Sequence, residues 1–447
     1  MKAAPIRFFK DIFISPRWYI IVLGNAVLFL AAYFFPVLVT PAYALMVLWI
    51  LFTLCDLILL FGRSRGISAQ RSNVQAFSLG DENEMSIELR NDFPFAGSLQ
   101  VIDELPVQFQ NRDFRMQFNV PAGTIFRHTY QLRPQSRGLY SFGHILVYAE
   151  SPLHLLRRRF VCGEQTDIKV YPSFLKLRQY QLMALSDSNA AGAKKMRRLG
   201  HSLEFEQIKE YVAGDDIRSM NWKATARRGT AMLNTYTDTR QQQIYCIIDK
   251  GRTMKMPFDG LSLLDYAINA SLALSYVTLH KQDNAGLITF SGDQVEVVPA
   301  DRRNKQFVVL REALYRQETD FRESDFEQLQ QQVARKINQR SLLLLFTNFE
   351  TMASLERQLP YLRQMARRHL LCVIFFENTA VHQLSRQDAR TLKQIYTQTI
   401  AARFDYEKRQ IVRELRKHGI LAVLSKPKDL TVNVINKYLE LKSRQMV

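Results

Sequence analysis

From Trp18 to Phe61 the chain carries a single charged side chain, Asp56, and a run this apolar belongs in lipid. Pro36 and Pro41 divide it into Trp18–Phe35 and Ala42–Gly62. Each is close to the roughly 20 residues a helix needs to cross a hydrocarbon core of about 30 Å. The connector is short, so the two helices are expected to form a hairpin. Lys2, Arg7, Lys10 and Arg17 precede the first run, Arg63 and Arg65 follow the second, and the connector has no Lys or Arg. The positive-inside rule then puts both ends, and everything after Gly62, in the cytoplasm. A cleaved signal peptide fits less well, because a second span stands where a mature domain would begin. Asp56 lies under two turns from the inner end of its span, within reach of headgroup water.

A chain of 447 residues calls for several domains. Its formal net charge of +18 suits an anionic lipid or nucleic-acid partner. The basic residues are dispersed, however, and no nucleic-acid fold motif accompanies them. Cys55, Cys162, Cys246 and Cys372 are far apart, without CxxC or metal-ligand spacing, and read as reduced thiols. His201, His280 and His369 are unclustered, and there is no Walker loop, dinucleotide fingerprint or G-x-S-x-G elbow.

Between about Ser68 and Pro172 short segments alternate apolar and polar side chains: Met85–Leu89, Leu99–Asp103, Phe114–Val120, Thr129–Leu132, Ile145–Tyr148 and Asp167–Tyr171. Period two, broken by turn residues, predicts a small antiparallel sandwich. No catalytic constellation is visible in it. From Gln243 the pattern changes to continuous apolar runs, Ile244–Asp249, Ala285–Phe290, Leu342–Phe346, Leu371–Phe376 and Leu421–Leu424. Segments of helical spacing intervene, among them Leu263–His280, Ser324–Arg340 and Leu355–Arg368, and Thr431–Lys442 reads as a closing amphipathic helix. Strands buried on both faces and alternating with helices predict a doubly wound, mostly parallel sheet, which binds ligands at the carboxyl ends of its strands.

Between these regions, Leu203 to Arg228 holds Glu204, Phe205, Tyr211, Gly214, Asp215, Asp216, Arg218, Asn221, Trp222, Ala226 and Arg227 in the order E-F…Y-x-x-G-D-D-x-R-x-[DN]-W…A-R. This block resembles the signature of the DUF58 family, membrane-anchored proteins with a von Willebrand factor A-like domain. Arg137–Gly143 and Ser151–Leu153 resemble further family segments, the second with Ser151 for the usual Asp and His154 for the usual Gly. The resemblance implies this division: a cytoplasmic N-terminal segment, 1–17; a transmembrane hairpin, 18–62; a β-sandwich, 67–172; a linker with the signature block, 173–240; and a von Willebrand A-like α/β domain, 241–447.

The resemblance also implies a metal-ion-dependent adhesion site, in which an Asp-x-Ser-x-Ser turn after the first strand supplies one carboxylate and two hydroxyls to Mg²⁺. Here the turn reads Asp249-Lys250-Gly251-Arg252-Thr253, and Thr347-Asn348 stands where a further Asp is usual. Asp249 and Thr253 are the surviving candidate metal ligands, with Thr347 and Thr319 as candidate substitutes. The expectation is no tightly held cofactor, Mg²⁺ being the metal the turn would take. Without a metal, Asp249 would cap its own turn or pair with Arg252. In the signature block no His, Ser or Cys nucleophile accompanies the carboxylates, so a non-enzymatic reading is preferred. There Asp215 or Asp216 caps a short helix through Trp222, and Arg218 and Arg227 tie the block down.

Proteins of the family are linked to MoxR-type AAA+ ATPases. The expected function is therefore a membrane-anchored adaptor of the bacterial inner membrane, contacting such an ATPase and its clients through Glu204, Asp215, Asp216, Arg218, Trp222, Arg227, Lys250 and Arg252. The alternatives are a metal-assisted hydrolase or transferase centred on Asp249 and Thr253, and an anionic lipid or nucleic-acid binder.

Overall fold

The structure, a computed structural model, describes residues 10–63, 66–72, 74–111, 114–182, 203–212, 215, 217–238, 242–292, 294–303, 305–319, 321–386, 391–444 and 446. Contacts divide the chain into two compact units, Met1–Tyr171 and Pro172–Val447.

In the first unit the apolar runs form helices Pro16–Phe34 and Val39–Phe61, both long and apolar enough to cross a membrane. The second begins earlier than Ala42, with Pro41 in its first turn. A proline is tolerated there because the missing N–H would have had no helical acceptor. The alternating segments form a five-stranded sheet and two three-stranded sheets. Their pairing is antiparallel except where Ala76–Ser78 runs parallel to Thr166–Tyr171. Ile12–Ile14, within the N-terminal segment 1–17, pairs with Leu156–Arg158 at the edge of the large sheet.

Asp56 departs from expectation. Instead of meeting headgroup water it is fully buried, and its Oδ2 accepts the backbone N–H groups of Leu155 at 3.1 Å and Leu156 at 2.8 Å. Arg158 Nη1 donates to the carbonyls of Leu60 at 2.6 Å and Arg63 at 2.7 Å, closing the frayed end of the same helix. The last turns of the second helix are thus built into the sandwich. Replacing Asp56 by Ala would leave two buried N–H groups unanswered, a loss of about 2–4 kcal/mol. Thermal unfolding in detergent should show Asp56→Ala well below wild type and Asp56→Asn between them; an unchanged midpoint for the Ala variant would remove this tether.

The second unit centres on a six-stranded sheet. Its strands are β1 (Gln243–Asp249), β2 (Asn284–Ser291), β3 (Gln294–Asp301), β4 (Leu342–Phe346), β5 (Leu370–Phe376) and β6 (Leu421–Ser425), in spatial order β3-β2-β1-β4-β5-β6. All neighbours are parallel except the β2–β3 pair. Its helices are α1 (Leu263–His280), α2 (Lys305–Tyr315), α3 (Phe326–Lys336), α4 (Met352–Arg368), α5 (Thr379–Arg386), α6 (Leu392–Lys417) and α7 (Leu430–Ser443). The doubly wound sheet expected from the apolar runs is present.

β1 shows why its sequence reads as a continuous apolar run. Ile244, Cys246 and Ile248 enter one core with α1 and α7, while Tyr245 and Ile247 enter the other with α3, α4 and α6. Burial pushes the thiols of Cys246 and Cys372 up to about 12, so they behave as small apolar side chains. Ser262 and Asp265 form a reciprocal capping box that starts α1. From β1 the chain proceeds to β2 on one side and returns through β4 on the other. The order therefore reverses between β1 and β4, and the crevice at their carboxyl ends is where such sheets bind ligands.

Candidate functional site

Asp249 ends β1 and is 2% exposed, so its charge must be answered from within the protein. Three donors do so. Gly251 N–H reaches Oδ1 at 2.8 Å, Ser324 Oγ donates to the same oxygen, and Thr347 Oγ1 donates to Oδ2 at 2.6 Å. The donors come from the β1 turn, the loop before α3 and the loop after β4. Asp249 caps its own turn, as one of the two metal-free expectations had it. Arg252, the other expected partner, lies 3.6 Å from Glu323 instead.

Ser324 was not legible as a site residue, and Gly251 explains its position. A Cβ at Gly251 would stand 2.1 Å from Ser324 Oγ and 3.0 Å from Asp249 Oδ1. The hydroxyl missing from the turn at position 251 is thus replaced in space by the hydroxyl of Ser324, brought in by a distant loop. Of the two residues named as substitute ligands, Thr347 contacts Asp249. Thr319 does not; its hydroxyl is spent on the carbonyls of Lys250, at 2.5 Å, and Gly251, at 3.3 Å. The only local signal for Ser324 is its place before Asp325, whose carboxylate caps α3 by accepting from Gln328 N–H at 3.0 Å.

A cleft of about 230 Å³ opens over these groups, lined by Thr253, Glu323, Asn348, Glu350 and Arg357 among others. One carboxylate and the hydroxyls of Ser324, Thr347 and Thr253 make an oxygen donor set that suits a hard divalent cation. Its electrostatics oppose one. Asn348, standing where an acid was expected, accepts at Oδ1 from Lys408 Nζ at 2.7 Å, and the same ammonium donates to the Phe349 carbonyl at 2.5 Å. Burial lowers the Lys408 pKa to about 8, with Glu350 opposing the shift. A half-buried ammonium therefore stands behind the loop that carries Asn348.

The signature block forms an antiparallel hairpin, Leu203–Glu210 with Met232–Asp238, carrying a short helix, Trp222–Arg228. In the hairpin register Glu204 stands opposite Thr237. Asp216 and Gly214 lie outside the described residues. The Asp215 carboxylate takes Lys209 Nζ at 2.8 and 2.6 Å and Val212 N–H at 3.2 Å. The cap is Asn221, whose Oδ1 accepts from Ala224 N–H at 3.0 Å while its Nδ2 donates to Asn234 Oδ1 at 2.7 Å. Arg218, Trp222 and Arg227 are exposed. The structure therefore gathers Asp249 and Thr253 into the β1–β4 crevice, with Lys250 and Arg252 in the connecting turn, and puts Asp215, Arg218, Trp222 and Arg227 on the hairpin block.

The Gly251–Ser324 relation has a direct test. Gly251→Ser should push Ser324 off Asp249 and cost about 1–3 kcal/mol in denaturant unfolding. Adding Ser324→Gly should recover most of that loss, giving a coupling of opposite sign in a double-mutant cycle; additive losses would refute the substitution in space. Lys408 gives a second test. Its folded pKa lies below the ordinary lysine value, so the unfolded chain binds the extra proton and stability rises with pH from about 8 to about 10.5. Lys408→Met should flatten that rise in unfolding curves taken across the window.

Comparison with known proteins gives the following. Residues 207–416 match the family model described as "Protein of unknown function DUF58". The curated "Uncharacterized protein YeaD" of Bacillus subtilis (strain 168) is 21% identical over 251 residues, covering 55% of this chain. The match spans 60% of that relative's length. Among solved structures, the SpRpn10 VWA domain matches 43% of this chain and 94% of its own, at 10% identity and TM-score 0.27. The CARDB domain of the PF1109 protein from Pyrococcus furiosus, whose crystal structure is in complex with di-metal ions, matches 23% of this chain and 86% of its own, at 10% identity and TM-score 0.17. At such scores neither likeness carries an argument.

Proposed function

We propose that this chain, a member of the DUF58 family, is a non-enzymatic adaptor anchored in the bacterial inner membrane by its two apolar helices, with the bulk of the chain in the cytoplasm. In this reading the von Willebrand A-like α/β body and the signature hairpin are presented to a protein partner, a MoxR-type AAA+ ATPase, and through it to client proteins. The observation that supports it best is Trp222. The indole is 71% exposed on a helix whose backbone is already held by the Asn221 cap and the hairpin, so burial of the ring is not what holds the helix. Val212 and Ile217, each 64% exposed, belong to the same block, as do the exposed Arg218, Lys223, Arg227 and Arg228. Exposed tryptophan and arginine are the side chains that most often anchor protein interfaces.

Asp215 acts in this reading from behind the surface. Tied to Lys209 and the Val212 N–H, it shapes the turn that carries Val212 and is unsuited to act as a free acid or base. The alternative, a metal-assisted hydrolase or transferase, draws support from the oxygen donors around Asp249. It asks a cation to compete with three hydrogen bonds to one carboxylate, next to the Lys408 charge.

The experiment is affinity capture of the tagged full-length protein from gently solubilised native membranes. Trp222→Ala should change unfolding stability by less than about 0.5 kcal/mol, as expected for an exposed site, yet abolish capture of an AAA+ ATPase that wild type retains at moderate salt. Capture unaltered by Trp222→Ala and by Arg218→Glu with Arg227→Glu would overturn the docking role of this block.

A further inference from the structure

We propose a second, separate ligand site at the carboxyl edge of the same sheet: a divalent transition-metal site, of the class that takes Zn²⁺, formed by Glu377, His382 and Asp405. One ligand atom from each of the three residues lies within 4.8 Å of the others. They come from three consecutive elements of the chain. Glu377 is the first residue past β5, His382 lies on α5 and Asp405 on α6. Three half-buried ligands meeting from a strand end and two helices make a converging pocket rather than a solvated acidic face.

The chemistry of the set selects the metal. One imidazole and two carboxylates match the nitrogen and oxygen donors of Zn²⁺ or Mn²⁺. The set is poorer for Mg²⁺, which takes oxygen alone. Tetrahedral ligands about 2.1 Å from zinc stand roughly 3.4 Å from one another. His382 Nδ1 and Asp405 Oδ2 are already 3.8 Å apart, so closure asks for side-chain adjustment of about an ångström, not backbone movement. Arg409 Nη2 holds Asp405 Oδ2 at 2.8 Å and orients the carboxylate, as outer partners of metal ligands commonly do. Lys408, three residues along α6, turns its ammonium away to Asn348 and the Phe349 carbonyl. Asn378 fixes the start of α5, its side chain accepting from Val381 N–H at 3.1 Å and its carbonyl from His382 N–H at 3.0 Å. The position of His382 relative to Glu377 is thereby set. Three protein ligands leave a fourth position open, as in zinc sites that accept water or an incoming carboxylate.

The competing account is an ion pair between His382 and Asp405 with no metal role. Full-length protein in detergent, stripped with chelator, separates the two. Titration calorimetry with ZnCl₂ should give one ion per chain, the thermal midpoint should rise with Zn²⁺, and Co²⁺ should give a visible absorption band from nitrogen and oxygen ligation. His382→Gln and Glu377→Gln should each weaken Zn²⁺ binding at least about tenfold. If His382→Gln fails to fold, Glu377→Gln and the wild-type Co²⁺ spectrum still decide the matter. Absence of heat and of a midpoint shift at millimolar Zn²⁺ would overturn the proposal. So would binding that survives both substitutions or is lost with Asp249→Asn, which would place the ion in the β1–β4 crevice. None of these outcomes bears on ATPase capture, so this site and the adaptor reading fail independently.

Discussion

A carboxylate buried at the end of the central strand must be answered by donors, and in the α/β unit that requirement ties three loops together. Asp249 is 2% exposed. Gly251, Ser324 and Thr347 supply the missing hydrogen bonds from the turn after β1, the loop before α3 and the loop after β4. Satisfying one buried charge therefore fixes the geometry of the crevice at the point where the sheet reverses its order. Each loop is held at its inner end, and the residues that line the cleft are carried outward from these anchors. The crevice thus owes its shape to a charge that must stay satisfied whether or not a ligand occupies the cleft.

The same logic appears at the apolar hairpin of the first unit. Asp56, within the last two turns of a hydrophobic helix, is costly if it faces hydrocarbon. Here it accepts two backbone N–H groups of the sandwich at Leu155 and Leu156, and Arg158 returns the contact by donating to carbonyls at the helix end. A lone acid within an apolar run reads equally well as a proton carrier, a snorkelling side chain or a structural tether. Its spacing from the helix end does not discriminate among them. The partner residues lie about a hundred positions away, and only the folded chain brings them into contact.

That distinction describes how much was legible beforehand. Periodicity is local, so the two apolar helices, the alternating strands of the sandwich and the doubly buried strands of the body were readable from side-chain pattern alone. The turn Asp249-Lys250-Gly251-Arg252-Thr253 could also be singled out, because the family resemblance implies a site there. Ser324 could not, since its role depends on a space at Gly251 that exists only once β1 and the loop before α3 are side by side. The helix Trp222–Arg228 takes its cap from Asn221, and Asp215 holds Lys209 on the preceding strand. Glu377, His382 and Asp405 carry no common spacing at all, being gathered by a strand end and two helices.

Gly251 and Asn348 shape the crevice together. With a glycine at position 251, space opens that Ser324 fills, preserving a hydroxyl on Asp249. With an amide at position 348, a carbonyl oxygen becomes available that Lys408 takes, placing a positive charge behind the loop. A bound dication and a fixed ammonium at such close quarters are mutually costly, because both act through the same low-dielectric interior. The Lys408 ammonium is tethered to α6 and holds the Asn348 and Phe349 oxygens of the loop after β4. Where a transition-metal ion is to be held along this edge, the cluster one strand further on meets the requirement better: it has two carboxylates and an imidazole, and the lysine points the other way.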